Sequence, residues 1–147
     1  MILLVNIKVY NKIIRKAIEN LIALRDRYLN EGIVIREYIK LKNLIVHSKS
    51  GMPLSEEYRL FFLNHTCIGV YDYWEEGDYD CAKPELKQFE EIANTVQSNF
   101  FTMDIARKED GSLIIIELGD GQVSGLPQRA DKIEFYSEIK KVMADVC

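Results

Sequence analysis

Apolar and polar positions follow two periods along this chain, and the switches between them mark its elements. Met1 to Tyr10 is a short apolar start with strand character. From Asn11, the spacing of Ile14, Ile18, Leu21, Ile22, Tyr28 and Leu29, with the stem of Arg25, predicts a helix to about Leu29. Asn11 suits its cap and Gly32 its stop. Ile33 to Leu41 alternates as a strand, and residues 42–57 read as irregular, broken at Ser50-Gly51-Met52-Pro53. Tyr58 to Leu63 and Thr66 to Trp74 flank an Asn64-His65 turn, followed by an acidic loop over 74–80. Pro84 suits a first helical turn, with Leu86, Phe89, Ile92, Ala93 and Val96 as the buried stripe. Asp131 and Glu134 have capping-box spacing and open a last helix, with Ile133, Tyr136, Ile139, Val142, Met143 and Val146 inward. The order predicts one α+β domain over residues 1–147: an antiparallel sheet built of hairpins with helices on one face.

A second hairpin is the most telling part of the pattern. Phe100 to Arg107 and Ser112 to Leu118 flank Lys108-Glu109-Asp110-Gly111, and Asp-Gly between apolar runs is a strong tight-turn signal. A two-residue turn at Asp110-Gly111 puts Glu109 opposite Ser112 and Asp104 opposite Glu117. A four-residue loop keeps that register, whereas three or five residues shift it by one. Alternation gives one core face, Phe101, Met103, Ile105, Ile114, Ile116 and Leu118, and one half-polar face, Thr102, Asp104, Ala106, Ile115 and Glu117. Directly opposed carboxylates stand about 5 Å apart at Cβ. At an effective dielectric of about 20 they repel by about 3 kcal/mol. Such a rung is solvated, or one member is protonated, or a cation lies between them.

Net charge is −4, with Lys and Arg scattered, which excludes general binding to nucleic acid or anionic membranes. Three widely spaced cysteines, Cys67, Cys81 and Cys147, form no C-x-x-C pair. Neither a zinc site nor a disulfide framework is indicated, and a reducing cytoplasm fits best. No apolar run approaches the ~20 residues of a membrane span. Met1 to Val5 is too short for a secretory signal and is interrupted at Asn6 and Lys8.

The candidate chemistry is limited. Arg36, in Ile35-Arg36-Glu37-Tyr38-Ile39, is either half of a solvated pair or an anion contact. Arg59 shares a strand face with Phe61 and Leu63, with Ile68 and Val70 as expected cross-strand neighbours. A guanidinium there calls for an anion, from a protein carboxylate or a ligand phosphate. Gly119 to Gly125 is neither a Walker loop nor G-x-G-x-x-G. It begins just past Glu117, so Asp120 and Gln122 can reach back toward the same place with oxygen donors of the kind hard cations take. His47 and His65 are expected in solvent, and no Ser or Cys has a nucleophile-elbow context.

Taken together, residues 30–128 resemble the C-terminal part of an ATP-grasp domain. Gly32 to Ile39 looks like the strand leading to the adenine-binding hinge. Glu57 to Asn64, followed by Val70 to Trp74, looks like the central hairpin whose arginine faces phosphate or substrate. Phe101 to Ala106 looks like the strand with the first metal-binding aspartate. Ile115 to Pro127, the most specific block, resembles the strand and loop bearing the bridging glutamate in a branch of amide or peptide ligases. The resemblance implies ATP-dependent conversion of a carboxylate to an acyl phosphate, then its capture by an amine. It implies Mg²⁺ on Asp104 and Glu117, Arg59 at the transferred phosphoryl group, Arg36 as a second anion contact, and the backbone of Glu37, Tyr38 and Ile39 at the adenine edge. The family's third metal ligand is an Asn two residues past the glutamate. Here that position is Gly119, and Asp120 or Gln122 would substitute by reach. The family also places a smaller subdomain ahead of this part, with a Gly-rich loop and phosphate-clamping lysines, and the surroundings of Lys8 and Lys12 do not match it. The expectation is therefore a truncated or split domain, active only when a missing segment, a protein partner or a second copy completes the cleft. Two other readings stay open: a non-catalytic module for protein interaction or self-association, and an α+β domain with no nucleotide history.

Overall fold

The computed structural model describes residues 2–4, 11–26, 29, 33–79 and 83–144. Gly32, Tyr28, Lys8, Cys81, Val146 and Cys147, named above, lie outside the described residues, as do the side chains of Asn11, Lys12 and Arg36. The chain falls into two compact units, 1–40 and 41–147.

In the first unit, β1 (Ile2–Leu4) pairs in parallel with β2 (Val34–Arg36), and α1 (Asn11–Arg25) lies between them in sequence. Ile14, Ile18 and Leu21 of the expected α1 stripe are half-buried, as is Ala17, while Ile22 and Arg25 are exposed. The strand expected from Ile33 to Leu41 is confined to Val34–Arg36. Glu37 to Lys40 is exposed and carries no strand pairing.

In the second unit, a four-stranded antiparallel sheet has the order β6-β5-β7-β8. Its strands are β5 (Glu57–Leu63), β6 (Thr66–Asp72), β7 (Phe100–Arg107) and β8 (Leu113–Asp120). The β5–β6 turn has positive φ at both Asn64 and His65, as a two-residue hairpin connection requires. The stretch expected to be irregular holds a short hairpin of β3 (Asn43–Val46) and β4 (Pro53–Ser55). Its strands are too short and too exposed, Leu54 excepted, to show alternation in the sequence.

β5 is regular against β7, so its side chains alternate cleanly. Tyr58, Leu60 and Phe62 join Phe101, Met103 and Ile105 beneath α2 (Lys87–Ala93), which contributes Phe89 and Ala93. Phe61, on the other face, packs with Ile68 and with Phe135 of α3 (Lys132–Ala144). The α+β class and the hairpin-built antiparallel sheet are as expected, but these two helices cover opposite faces rather than one. Each face therefore has its own small core, and almost the whole of β7 is buried between them.

Four helix expectations are corrected. Ile92 is exposed on α2. Ile133, Tyr136 and Met143 are exposed on α3, whose inward residues are Phe135, Ile139 and Val142. Phe135, one position from Tyr136, takes the central place. The Asp131 cap is present: its Oδ1 accepts the N–H groups of Ile133 and Glu134 at 2.8 and 3.1 Å. His65 is not fully solvated, because its Nδ1 lies 2.9 Å from the Ala93 carbonyl and ties the β5–β6 turn to the end of α2.

Candidate functional site

Asp104 does face Glu117, through two irregularities that cancel. The β7–β8 loop has three residues rather than two. Lys108 N–H donates to the Ser112 carbonyl at 2.8 Å, Gly111 N–H donates to the Lys108 carbonyl at 3.0 Å, and of the turn residues only Gly111 has positive φ. This loop shifts the register by one, pairing Arg107 with Leu113 and Ile105 with Ile115. A bulge then gives β8 one extra residue, Ile116, between Ile115 and Glu117, and restores Asp104 opposite Glu117. One consequence is that Leu113 and Ile115, not Ile114 and Ile116, join the core under α2.

β5 adds the third member. Arg59 lies directly opposite Asp104 and, on its other side, opposite Tyr71. Its expected neighbours Ile68 and Val70 are thus replaced by Tyr71 and Asp104, so one rung crosses the sheet as Tyr71–Arg59–Asp104–Glu117. Arg59 Nε donates to Asp104 Oδ1 at 2.8 Å and Nη2 donates to Oδ2 at 2.7 Å. This is the bidentate fork, the strongest form of charge-assisted pairing. Arg59 Nη1 donates to the Gly125 carbonyl at 3.0 Å, and the guanidinium lies over the Tyr73 ring, 4.8 Å from its centroid. The Asp104 bonds hold the Arg59 guanidinium above its usual basicity. Asp104 is buried and Glu117 is exposed.

Glu57 lies on the same face, two rungs away, opposite Ala106. Burial pushes its carboxyl up to about 7, against the pull of the Ser55 hydroxyl and with a further push from Asp104. The Trp74 indole N–H also lowers it, although its nitrogen is buried without full hydrogen-bond geometry. On the other side of the rung, Thr102 is opposite Gly119, and Thr102 Oγ1 lies 2.8 Å from Ser124 Oγ. A Cβ added to Gly119 would stand 2.7 Å from Thr102 Oγ1 and 2.9 Å from Ser124 Oγ. Two hydroxyls thus fill the space that a side chain at position 119 would need.

Asp120 and Gln122, the other candidates of the second unit, do not join the rung. Asp120 is opposite Phe101, on the alternate face, and its Oδ1 accepts the Gln122 N–H at 2.8 Å in the turn. Gln122 is exposed in that turn. Arg36 belongs to β2 and Glu37, Tyr38 and Ile39 follow it, all in the first unit. Among the described residues no group of three or more His, Cys, Asp or Glu side chains is gathered as a metal site. The donors fit Mg²⁺ only as a two-carboxylate platform, Glu117 open and Asp104 held by Arg59, of the kind that phosphate oxygens and water complete.

Sequence reasoning missed Tyr73, Thr102, Ser124, Gly125 and Glu57. For Glu57 a signal was present, since strand alternation puts it on the face of Arg59. The positions of Ser124 and Gly125 depend on how a glycine-rich loop folds back, which no periodicity reports. Among the described residues no helix is long and apolar enough to cross a membrane. A family model described as an ATP-grasp domain, family 3 of its clade, matches residues 7–139. No curated protein and no solved structure matches the chain.

Proposed function

The chain belongs to the ATP-grasp domains, in family 3 of its clade, and from that premise we propose that its Arg59–Asp104–Glu117 rung is the phosphate end of a Mg-ATP site serving carboxylate–amine ligation. The observation that carries this reading is a buried and an exposed carboxylate on one rung with a fixed guanidinium beside them. Asp104 and Glu117 would hold Mg²⁺, which when bound supplies charge neutralisation at the phosphate oxygens. Arg59 meets the transferred phosphoryl group and stabilises the charge that develops on it. Tyr73 and the Asp104 fork keep the guanidinium from swinging away, so it needs no reordering when substrate arrives. The carboxylate substrate attacks the terminal phosphorus of ATP and releases ADP, and an amine then attacks the acyl phosphate carbonyl and releases inorganic phosphate.

Glu57, Asp104 and Glu117 outnumber Arg59 on this face, and a triphosphate adds further negative charge. Turnover therefore requires cationic groups beyond this rung, supplied by another segment or a partner chain. For the first unit the proposal is separate: the backbone of Glu37, Tyr38 and Ile39 meets an adenine edge, and Arg36 meets an anion. The half-buried free thiol of Cys67 accords with a reducing, cytoplasmic setting.

Thermal denaturation with and without Mg²⁺ and ATP tests the reading. Millimolar Mg-ATP raises the melting temperature of the wild-type chain, and Glu117→Gln removes the rise. No rise in the wild type overturns it. The rival reading, a self-associating non-catalytic module, has in its favour that Ile133 and Tyr136 of α3 are 80% and 65% exposed. A chain that stays monomeric at high concentration in light scattering removes that rival.

A further inference from the structure

The segment after β8 does more than lead to α3. Asp120 turns the chain: its Oδ1 accepts the Gln122 N–H, and its carbonyl accepts Val123 and Ser124 N–H at 3.2 and 2.9 Å. The turned chain then tracks β7 on the face of Arg59. Gly121 lies so close to Phe100 that a Cβ there would stand 2.8 Å from its ring. Ser124 Oγ meets Thr102 Oγ1 at 2.8 Å, and the Gly125 carbonyl accepts Arg59 Nη1 at 3.0 Å. Successive face positions of β7, at 100, 102 and the rung of 104, are thus each met by one residue of the segment or by a group it holds.

The last of these contacts is chemically replaceable. Arg59 gives Nε and Nη2 to Asp104, an anion, but Nη1 to a neutral carbonyl. A bond from a guanidinium to an anionic oxygen is stronger than one to a neutral acceptor. A phosphate oxygen arriving at Nη1 therefore outcompetes Gly125 without disturbing the Asp104 fork. Behind Gly125 the segment is held to β7 by a pair of neutral hydroxyls at Thr102 and Ser124 and, at its root, by Gly121 N–H donating to the Phe100 carbonyl at 3.2 Å.

We propose that Gly121–Gly125 is a strap displaced by ligand: its Gly125 carbonyl occupies the Arg59 Nη1 position that a phosphate-type oxyanion takes, and binding there lifts the strap from Thr102. The proposal rests on the reading of Arg59 as a phosphoryl contact. The strap is the closed state of a two-state element, and an oxyanion favours the open one because it meets Arg59 only there.

Amide hydrogen exchange on the whole chain, read by mass spectrometry, tests this with inorganic tripolyphosphate as the probe. Ser124→Ala speeds exchange over residues 121–125 by about 5-fold, the loss of one neutral hydrogen bond, and leaves residues 100–107 unchanged. Millimolar tripolyphosphate speeds the same amides in the wild-type chain. Arg59→Lys, which keeps a cation beside Asp104 but not the fork, removes that response. Strap exchange that tripolyphosphate slows or leaves unchanged in the wild type overturns the proposal, as does a Ser124→Ala chain that exchanges like the wild type. The two readings fail separately. If Mg-ATP gives no thermal shift while tripolyphosphate opens the strap, the nucleotide reading falls and the strap stands. A thermal shift with an unmoved strap sinks the strap alone.

Discussion

Arg59 holds both carboxylate oxygens of Asp104, at 2.8 and 2.7 Å, from the directly opposite position on the neighbouring strand. The like-charge rung of Asp104 and Glu117 thus already has a cation, on the far side of Asp104 and built into the sheet. The two carboxylates are not equivalent. Asp104 is buried and neutralises a guanidinium, whereas Glu117 is exposed at the sheet edge.

This asymmetry predicts unequal stability effects. Asp104→Ala leaves the Arg59 charge unpaired in a partly buried place and costs about 3 kcal/mol, the range for removing one partner of a buried pair. Glu117→Gln removes a solvated charge and changes stability by about 0.5 kcal/mol or less. Urea denaturation of the two variants checks both. Equal destabilisation would show that Asp104 and Glu117 share one environment. Glu117→Gln is accordingly the cleaner probe of metal and nucleotide binding.

Gly119 gives a second prediction. A methyl group there meets the Thr102 and Ser124 hydroxyls at 2.7 and 2.9 Å, so Gly119→Ala forces one of them aside and costs about 1–2 kcal/mol. Ser124→Ala removes one of the two obstructing atoms. In a double-mutant cycle the two substitutions couple, with the pair less destabilising than the sum of the singles. Strict additivity would mean that Ser124 does not limit the space at 119.

How far the sequence revealed this site follows from where its information is local. Asn64-His65 and the Asp131 cap are read from short-range chemistry, and both are found as expected. The pairing of Asp104 with Glu117 was also legible, but through a turn that does not form. The actual three-residue loop and the Ile116 bulge each move the register by one, and nothing in the run Leu113-Ile114-Ile115-Ile116 marks where a bulge falls. The Arg59–Asp104 fork was not legible, because β5 and β7 are 36 residues apart between Leu63 and Phe100 and their register is set by packing of the two cores. Placing helices on one face failed for the same reason: Phe61 and Phe62 are adjacent and equally apolar, and each has a helix to meet.

Glu56 marks the join between the β3–β4 hairpin and the main sheet. It is 2% exposed and bonded by Lys42 Nζ at 2.7 Å, Arg107 Nε at 2.6 Å and the Tyr58 hydroxyl at 3.0 Å. Burial raises its carboxyl, but these three donors outweigh burial and hold it below the usual glutamate value. A depressed folded value means stability that is present above the unfolded pKa and is lost as pH falls through the folded one. Glu56→Ala leaves Lys42 and Arg107 without this carboxylate and is expected to cost about 3–5 kcal/mol at neutral pH. Chemical denaturation at pH 7 and below pH 4 checks it, the difference between variant and wild type shrinking in acid.

Glu57, the next residue, behaves in the opposite sense. Its folded value of about 7 stands above the ordinary glutamate value of 4.5, so the folded chain binds more protons than the unfolded chain between the two. Stability contributed by the neutral carboxyl is therefore present at low pH and is lost as pH rises through about 7. Above that pH the native state carries a half-buried carboxylate beside Asp104, with Arg59 committed elsewhere. Glu57→Gln keeps a neutral side chain of the same shape at every pH. After discounting for solvent screening, it should gain about 1 kcal/mol over the wild type at pH 8, or about 3 °C in melting temperature, and only a small fraction of that at pH 5. The measurement is a melting curve for each chain at both pH values. A gain of the same size at pH 5 would place the effect in packing and remove titration of Glu57 as its cause.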